Sequence, residues 1–316
     1  MRIAAIDVGT NTAQLLVAEV EGGRITRRIG TDERFVRLGE GVDASGRIGA
    51  PALERLLGAL RAQQAMAERH GAETIVVGAT SASRDATNRP VVADAVRQAT
   101  GLSYEVLSGD EEAIWTFAAA RDGQPDATGC TVVIDIGGGS TEIIMGQGNA
   151  LGPDAVSRRH SLDIGSVRLT ERFVDGHPPS DEAVRRAING IDAALDAIDG
   201  LGAADATLVG TSGTTEALAL VQAGPSSTLN ALDAAARVLA ADAVRHWRDD
   251  LLRRSVGAVQ ALHPEAMHGR ADVFPMGVLI LDRFMRSAGF EALRVSAHQL
   301  RHGLILRWLY RAGDGP

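Results

Sequence analysis

Two short glycine-bearing segments, each led by an aspartate, carry the residues best suited to chemistry in this sequence. The first is Asp7-Val8-Gly9-Thr10-Asn11-Thr12, and the second is Asp135-Ile136-Gly137-Gly138-Gly139-Ser140-Thr141. Glycines let backbone N–H groups approach an anion closely, and threonine and serine hydroxyls add further donors. The leading aspartates could bind Mg²⁺ or orient a water molecule. The two segments therefore predict sites for phosphate groups.

The residues around both segments discriminate between the common kinds of glycine-rich turn. An apolar run precedes each segment, and a second apolar run follows at Gln14–Val20 and at Glu142–Met145. A Rossmann or P-loop site would instead place a helix directly after the glycines. All 32 basic residues are arginine, so the lysine of a P-loop is also missing. The remaining interpretation is a glycine turn in a β-hairpin, with an ordinary tight turn as the alternative for each segment alone.

The order of apolar strand, Asp-x-Gly turn, second strand and second turn occurs twice, which indicates an internal repeat. It implies two similar α/β halves facing one another. The length of 316 residues also agrees with two domains. The polar segment Asp122-Gly123-Gln124-Pro125-Asp126 is the best candidate linker. We predict domains at 1–123 and 124–299, with a last helix at about 300–316 packing back onto the first domain.

Helical spacing of apolar residues and capping residues predict several helices. Pro51–His70 has proline at its start and glycine directly after it, and Glu111–Ala120 follows Ser108-Gly109-Asp110. A long helix is predicted over Leu232–Leu252. The loop Gly210–Thr215 opens another helix, so that backbone donors at Gly213 and Thr214 could meet a further phosphate.

Composition excludes several classes of protein. The net charge of −8 and the absence of a basic stripe argue against nucleic-acid binding. The single cysteine, Cys130, cannot form an intrachain disulfide or a multi-cysteine metal site. The histidines lack the spacing of metal ligands. Without a signal peptide or an apolar window of about 18 residues, the sequence predicts a cytoplasmic protein that does not enter a membrane.

The two hairpin motifs, Asp7–Thr12 and Val133–Glu142, resemble the phosphate motifs of the exopolyphosphatase/guanosine pentaphosphate phosphatase family. This family belongs to the superfamily of actin-like ATPases, sugar kinases and Hsp70. Ala79–Arg84 resembles the family's arginine-bearing loop, Ser108–Ala113 its catalytic glutamate segment, and Leu162–Thr170 its stretch after the second hairpin. The resemblance covers residues 1 to about 170 and continues more thinly to the end. It implies an α/β fold with two ribonuclease-H-like (actin-like) domains facing each other across a cleft.

The resemblance also implies an activity, in which water removes the terminal phosphate of inorganic polyphosphate or guanosine pentaphosphate with Mg²⁺. Glu112 matches the family's general base, which would take a proton from the attacking water. The adjacent Glu111 is the alternative if the register of the match is shifted by one residue. Arg84 would balance the charge of phosphate oxygens. Without the resemblance, Glu111 and Glu112 also suit an ordinary helix N-terminus, and Arg84 a solvated surface position.

The expected site residues fall into three groups by role. The catalytic group is Glu112 and Asp135. The metal-binding group is Asp135, Glu142 and Asp7. The phosphate-binding group is Gly9, Thr10, Asn11, Arg84, Gly137, Gly138, Gly139, Ser140, Thr141, Gly213 and Thr214. By resemblance, we further expect a homodimer and guanosine tetraphosphate as a ligand.

The carboxy-terminal segment Val295–Gly303 departs from the family pattern Ser-Asp-x-Gly-Leu-Arg-Glu-Gly. It keeps the arginine and the last glycine, but Ala297 stands where the acid is expected and His302 where the glutamate is expected. This departure puts in doubt a role for the segment in metal or substrate binding. It keeps open a second hypothesis, a non-catalytic polyphosphate or alarmone sensor. A third is an actin-like ATPase that assembles into filaments.

Overall fold

The computed structural model describes residues 1–124, 129–147, 152–198, 205–228 and 237–313. These residues divide into two compact units. The first unit contains those within Met1–Asp122, Asn149–Val156 and His298–Pro316, and the second those within Gly123–Gly148 and Ser157–Ala297. The last helix of the chain thus belongs to the first unit. Residues 125 and 126 of the candidate linker lie outside the described residues.

The secondary structure alternates between strands and helices. The strands are β1 (Arg2–Val8), β2 (Thr12–Glu21), β3 (Arg24–Phe35), β4 (Thr74–Ala79), β5 (Glu105–Val106), β6 (Cys130–Ile136), β7 (Thr141–Gln147), β8 (Val156–Leu162), β9 (Thr207–Gly210), β10 (Val238–Ala240) and β11 (Ala292–Val295). The α-helices are α1 (Val42–Ser45), α2 (Ala50–Arg69), α3 (Ser81–Asp85), α4 (Arg89–Thr100), α5 (Gly109–Asp122), α6 (Ser166–Phe173), α7 (Asp181–Asp196), α8 (Gly213–Ala223), α9 (Ala241–Leu251), α10 (Val256–Gln260), α11 (Phe274–Ala288) and α12 (Leu300–Ala312), and Pro153–Ala155 forms a 3₁₀ turn.

The first unit has a five-stranded sheet in the order β3-β2-β1-β4-β5. β1 pairs antiparallel with β2 and parallel with β4. Alternate side chains of β1 enter different cores, because successive residues of a strand point to opposite faces. Ile6 packs in a core that includes α2 and α4, whereas Ile3 packs in a core that includes α5 and α12. Burial on both faces explains why β1 is a continuous apolar run.

The second unit repeats this pattern in a six-stranded sheet of order β10-β11-β9-β6-β7-β8. Its central strand β6 pairs antiparallel with β7 and parallel with β9, as β1 does with β2 and β4. One core cluster contains buried side chains of β6, α7, α8 and α11. The prediction of an α/β fold built from a repeated hairpin unit is thereby confirmed.

The helix predicted over Leu232–Leu252 is wrong at its amino-terminal end. Residues 229–236 lie outside the described residues, and Val238–Ala240 forms strand β10 before α9 begins at Ala241. This strand pairs antiparallel with β11, and Ala241 N–H donates to the Glu291 carbonyl at 2.8 Å. Pairing with a distant segment overrides the local helical propensity of this alanine-rich stretch.

None of the described helices combines the length and the apolar character that crossing a membrane requires.

Candidate active site

The first glycine segment forms the tight turn between β1 and β2. Asp7 lies opposite Gln14 in the antiparallel register, and Gly9 N–H donates to the Thr12 carbonyl at 2.8 Å. This bond closes a turn that contains Thr10 and Asn11. Asp7 therefore sits at the carboxyl end of a buried strand, directly before the glycine turn.

The second glycine segment closes in the same way between β6 and β7. Gly137 N–H donates to the Ser140 carbonyl at 2.9 Å, and Asp135 lies opposite Glu142. Both hairpins predicted from the sequence are confirmed, and one hydrogen bond between backbone groups closes each turn. A tight turn of this kind brings successive peptide groups together at the end of a sheet.

Residues 36–39 hold the first turn from one side. Val36 and Arg37 N–H groups both donate to the Asn11 carbonyl at 2.9 Å, and Gly39 N–H donates to the Thr10 carbonyl at 2.9 Å. The approach is close, because a Cβ added at Gly39 would lie 2.2 Å from Thr10 Cγ2. Only a residue without a side chain fits at position 39 while Thr10 keeps its place.

The amino-terminal turn of α6 holds the second turn. Ser166 N–H donates to the Gly137 carbonyl at 3.0 Å, and the amides of the next two residues donate to the Gly138 carbonyl at 2.9 and 3.0 Å. The Arg168 side chain completes the set, because its Nε donates to the Gly139 carbonyl at 2.6 Å. Three successive carbonyls of the glycine turn are therefore bound on the α6 side.

The direction of these carbonyls fixes the direction of the neighbouring N–H groups. In a planar trans peptide, the N–H of one residue points opposite to the C=O of the residue before it. The N–H groups of Gly138, Gly139 and Ser140 therefore point away from α6. Successive backbone N–H groups on one side of a turn form a concave site for an anion. The second turn thus has the geometry that phosphate binding requires.

Other predicted phosphate ligands of the second unit also have roles in the fold. The Thr141 hydroxyl is buried and donates to the Ile164 carbonyl at 2.6 Å. The Thr214 hydroxyl donates to the Ile136 carbonyl at 3.3 Å, and the Gly213 carbonyl accepts from Arg270 Nη1 at 2.9 Å. The first bond attaches the start of α8 to β6, and the second attaches it to the segment before α11. A direct role of Thr141 and Thr214 in phosphate binding stays a prediction.

In the first unit, Arg84 and Glu112 form a direct ion pair. Arg84 Nη1 lies 2.7 Å from Glu112 Oε2 and 3.1 Å from the Leu107 carbonyl oxygen. Both side chains are largely buried, with exposed fractions of 22% for Arg84 and 10% for Glu112. Burial raises the pKa of the Glu112 carboxyl; the Arg84 charge and hydrogen bond oppose this shift, and the Asp85 charge adds to it.

The neighbouring Glu111 has a different environment. One carboxylate oxygen accepts from the Ser108 N–H and hydroxyl at 3.2 Å, and the other accepts from Arg307 at 2.8 Å. Burial raises the pKa of Glu111, but the hydrogen bonds from Arg307 and Ser108 outweigh it, and the pKa is lowered. Glu111 therefore ties the start of α5 to α12, whereas Glu112 is the buried carboxylate with a raised pKa.

Asp7 lies near a buried tyrosine of the same unit. Burial raises the pKa of Tyr104, a hydrogen bond with Ser83 at 2.6 Å opposes the shift, and the negative charge of Asp7 adds to it. β1, β4 and β5 run parallel, so the segments that follow them leave the same edge of the sheet. The first unit thus gathers at one edge the segments that carry Asp7, Arg84 and Glu112.

Two of the predicted metal ligands, Asp135 and Glu142, form a pair of carboxylates on neighbouring strands. Asp135 and Glu142 are directly opposite on β6 and β7, so their side chains project from the same face of the hairpin. The described residues contain no group of three or more histidine, cysteine or acidic side chains placed to hold one metal ion. Mg²⁺ is commonly bound by one or two carboxylates together with substrate phosphates. The pair fits an ion bound in that manner, with phosphate oxygens and water completing its coordination.

One of the two departures in the carboxy-terminal segment, His302, has a structural explanation. His302 Nδ1 accepts from the Gln299 N–H at 3.2 Å, and together the two residues form a capping box at the start of α12. The fully buried His302 keeps the acceptor that a glutamate would supply at this position. Gly303 is required by packing, because a Cβ there would lie 2.1 Å from the Trp115 carbonyl oxygen.

Sequence reasoning gave no role to Gly39, Gly165, Arg168 or Arg270, which hold the predicted loops. Gly165 and Arg168 lie in the stretch Leu162–Thr170, so the resemblance pointed to the segment without giving its purpose. The other two lie in loops with no periodic pattern. Their contacts depend on segments that are distant along the chain.

Comparisons with known proteins agree with this architecture. A model of the Ppx/GppA phosphatase family matches residues 16–312. Exopolyphosphatase 2 of Mycobacterium tuberculosis is 36% identical over 327 residues, which cover 96% of this chain and 98% of its own. Exopolyphosphatase 1 of Mycobacterium bovis is 32% identical over 320 residues, covering 100% of this chain and 90% of its own.

Solved structures give the same result. The crystal structure of an exopolyphosphatase from Cytophaga hutchinsonii has a TM-score of 0.86 and 25% identity, and the match covers 100% of both chains. The crystal structure of the Aquifex aeolicus member of the Ppx/GppA family has a TM-score of 0.77 and 27% identity over 98% of both chains. By sequence and by fold, this chain belongs to the Ppx/GppA phosphatase family.

Proposed function

We propose that this protein is an exopolyphosphatase that releases the terminal phosphate of inorganic polyphosphate, with Glu112 as the general base. Membership of a phosphatase family makes the chain a hydrolase of phosphoric anhydrides. Polyphosphate as the substrate is supported by the two named exopolyphosphatases, each matched over nearly its whole length. Guanosine pentaphosphate is proposed as a second substrate, because its terminal phosphate is held by the same kind of anhydride bond.

The environment of Glu112 is the observation that carries the proposal. In the reaction, a water oxygen forms a bond to the terminal phosphorus, the bond from phosphorus to the bridging oxygen breaks, and a proton leaves the water. A carboxylate whose pKa is raised by burial is a stronger base than an exposed one. Glu112 has this property, and it is held in place by Arg84. Glu111 lacks it because its carboxylate is bound by Arg307 and Ser108.

Phosphate oxygens are proposed to bind to two kinds of donor. The N–H groups of Gly138, Gly139 and Ser140 lie on one side of their turn and suit the oxygens of the chain. Arg84 is proposed to share its guanidinium between Glu112 and a phosphate oxygen, since five N–H donors allow both. Gly9, Thr10 and Asn11 are proposed to bind phosphate oxygens in the first unit.

Mg²⁺ is proposed as the cofactor, with Asp135 and Glu142 as its protein ligands. When bound, the ion supplies positive charge that offsets the charge of the phosphate oxygens. Ser161 Oγ donates to Glu142 Oε1 at 2.8 Å and so helps to orient this carboxylate. Asp7 is proposed as a carboxylate that binds Mg²⁺ or orients a water molecule in the first unit.

Phosphate release from the purified protein with Mg²⁺ tests the proposal, comparing polyphosphate, guanosine pentaphosphate and ATP. We expect release from polyphosphate, and loss of turnover with retained polyphosphate binding in Glu112→Gln. Release from ATP alone would contradict the assignment and favour an ATPase. Weaker binding of polyphosphate by both Asn11→Ala and Ser140→Ala would support the participation of both hairpins.

A non-catalytic sensor of polyphosphate or of guanosine tetraphosphate is the second candidate. The specific observation in its favour is the engagement of the Glu112 carboxylate by Arg84, because a base that stayed in this pair could not accept a proton readily. Tight binding of guanosine tetraphosphate without phosphate release from any of the three substrates would establish the sensor instead.

A further inference from the structure

Residues Gly165 and Arg168 contact the second glycine turn from the side opposite to its proposed phosphate site. We propose that they are positioning residues, which hold and polarise the N–H groups of Gly138, Gly139 and Ser140 for binding a polyphosphate chain. The inference rests on the proposed function. It assigns a role in substrate affinity to two residues that need not touch the substrate.

The first observation is how α6 uses its own N-terminal amides. A helix N-terminus that binds an anion directly offers these amides to the anion. Here the amides of Ser166, Val167 and Arg168 donate to carbonyls of the glycine turn. The helix therefore acts on phosphate indirectly, because it fixes which way each peptide group of the turn faces.

The second observation is the Arg168 side chain, whose Nε lies 2.6 Å from the Gly139 carbonyl oxygen. A hydrogen bond from a charged donor is shorter and stronger than a neutral one. It also polarises the peptide group that contains the Ser140 N–H, since hydrogen bonds in a chain strengthen one another. The positive charge of Arg168 thus makes the Ser140 N–H a better donor to a phosphate oxygen.

The third observation is steric. A Cβ at Gly165 would lie 2.4 Å from the Gly138 carbonyl oxygen and 2.6 Å from the Gly139 carbonyl carbon. The Gly165 backbone has φ −146° and ψ 165°, an extended conformation open to any residue. Glycine is therefore required at this position by its close contact with the turn and not by its backbone conformation. Any side chain at this position would push the peptide groups of the turn out of place.

The experiment measures binding of tripolyphosphate by calorimetry in a Glu112→Gln background, and steady-state kinetics on long-chain polyphosphate without that substitution. We expect Arg168→Gln to weaken tripolyphosphate binding about 10-fold and to raise KM by a similar factor. This is the lower end of the range, about 10- to 100-fold, over which loss of an orienting residue lowers affinity. We expect kcat to stay within about 3-fold, because the turn binds substrate and transition state alike. Arg168→Lys keeps the charge and is expected to recover binding to within about 3-fold.

The matched control is Arg283→Gln, which removes another partly buried arginine of the second unit, bound to Asp192 at 2.7 Å. It is expected to leave tripolyphosphate binding unchanged. Unchanged binding in Arg168→Gln would overturn the proposal. So would a loss in Arg168→Lys equal to that in Arg168→Gln, or an equal loss in the control.

Gly165→Ala provides a second, uncharged test. It is expected to raise KM at least about 10-fold while Arg168 remains, because it displaces the turn itself. If this variant fails to fold, the Arg168 variants decide the matter. Absence of hydrolysis by the chain without substitutions would contradict the proposed function, whereas the calorimetric comparison would still test the positioning role.

Discussion

Arg84 Nη1 lies 2.7 Å from Glu112 Oε2, in a pair that is largely withdrawn from solvent. Two opposing effects act on the glutamate. Burial favours its neutral form and raises its pKa, whereas the positive charge of Arg84 favours the ionised form. Burial is the larger effect, so the carboxylate is basic yet still stabilised as an anion. The pair therefore sets the pH range in which Glu112 can accept a proton.

Arg84→Gln is predicted to move the acid limb of the kcat/KM profile to higher pH. Without Arg84, the effect of burial on Glu112 is opposed less, so its pKa rises further and less carboxylate is present at a given pH. We also expect kcat/KM on polyphosphate to fall about 10- to 100-fold at the optimum, from the loss of a charged hydrogen bond. Arg97→Gln, an exposed arginine paired with Asp94, is the control. A limb that moves to lower pH would contradict the assignment.

The two adjacent glutamates are predicted to respond differently to amide substitution. Glu112→Gln is expected to lower kcat about 10²- to 10⁴-fold, the usual contribution of a general base, with little change in protein stability. Glu111→Gln is expected to keep kcat within about 3-fold and to lower the free energy of unfolding by about 1 kcal/mol, because it weakens the ties to Ser108 and Arg307. Kinetics and urea denaturation of both variants check this. A larger loss of kcat in Glu111→Gln than in Glu112→Gln would indicate that Glu111 is the general base.

Removal of divalent ions by EDTA is predicted to abolish phosphate release, and Mg²⁺ to restore it. Asp135→Asn and Glu142→Gln are each expected to raise the Mg²⁺ concentration for half-maximal activity about 10-fold, because each removes one of two charged ligands. Ser161→Ala is expected to have a smaller effect of the same kind, since it only orients Glu142. Full activity in EDTA, or variants with unchanged Mg²⁺ dependence, would exclude this pair as the ligands.

Much of the fold follows from local pattern. The apolar runs before Asp7 and Asp135 predicted the two central strands, and the following runs predicted the hairpins. Pro51–His70 was predicted as a helix, and α2 runs Ala50–Arg69 because proline and glycine mark its ends. Strand β10 could not be predicted in this way, since pairing with β11 from a distant part of the chain determines it.

Residues of the candidate site that lie together in one short segment could be predicted from the sequence, and those contributed by distant segments could not. Gly137 to Ser140 are adjacent, and the matching segment at Asp7–Thr12 favoured an anion site over an ordinary tight turn. The supports of that site come from elsewhere, as Arg168 reaches Gly139 and Arg270 reaches Gly213. The choice between Glu111 and Glu112 likewise depended on which carboxylate Arg307 binds. A single sequence contains no signal for such contacts.

His302 is predicted to make the protein less stable in mild acid. Burial, followed by the nearby charges, holds its pKa well below 6.5 in the folded protein, while in the unfolded chain it titrates near 6.5. Above that pH the imidazole is neutral in both states and contributes no pH dependence. As the pH falls below 6.5, the unfolded chain binds a proton that the folded protein does not, and the free energy of unfolding decreases.

The contribution of His302 to the slope of the free energy of unfolding against pH approaches about 1.4 kcal/mol per pH unit. His302→Gln is expected to remove it, because glutamine does not titrate and still offers an acceptor to the α12 cap. Urea denaturation of both proteins between pH 8 and pH 5 gives their free energies of unfolding. The difference between the two proteins at pH 8 is the baseline, and its change towards pH 5 measures the effect of His302. A parallel pH dependence in both proteins would show that His302 is not the group responsible.

Gly39→Ala is predicted to displace the first glycine turn and raise KM for polyphosphate, and Thr10→Ser is predicted to reverse this effect. The new methyl group would lie 2.2 Å from Thr10 Cγ2 but 3.4 Å from Thr10 Cβ. We expect KM for polyphosphate to rise about 10-fold, because Thr10 and the peptide groups beside it must shift. Thr10→Ser removes the clashing methyl and keeps the hydroxyl, so Gly39→Ala with Thr10→Ser is expected to return KM to within about 3-fold. Thr10→Ser alone serves as the control. A double variant no better than Gly39→Ala would mean that the contact with Thr10 does not determine the shape of this turn.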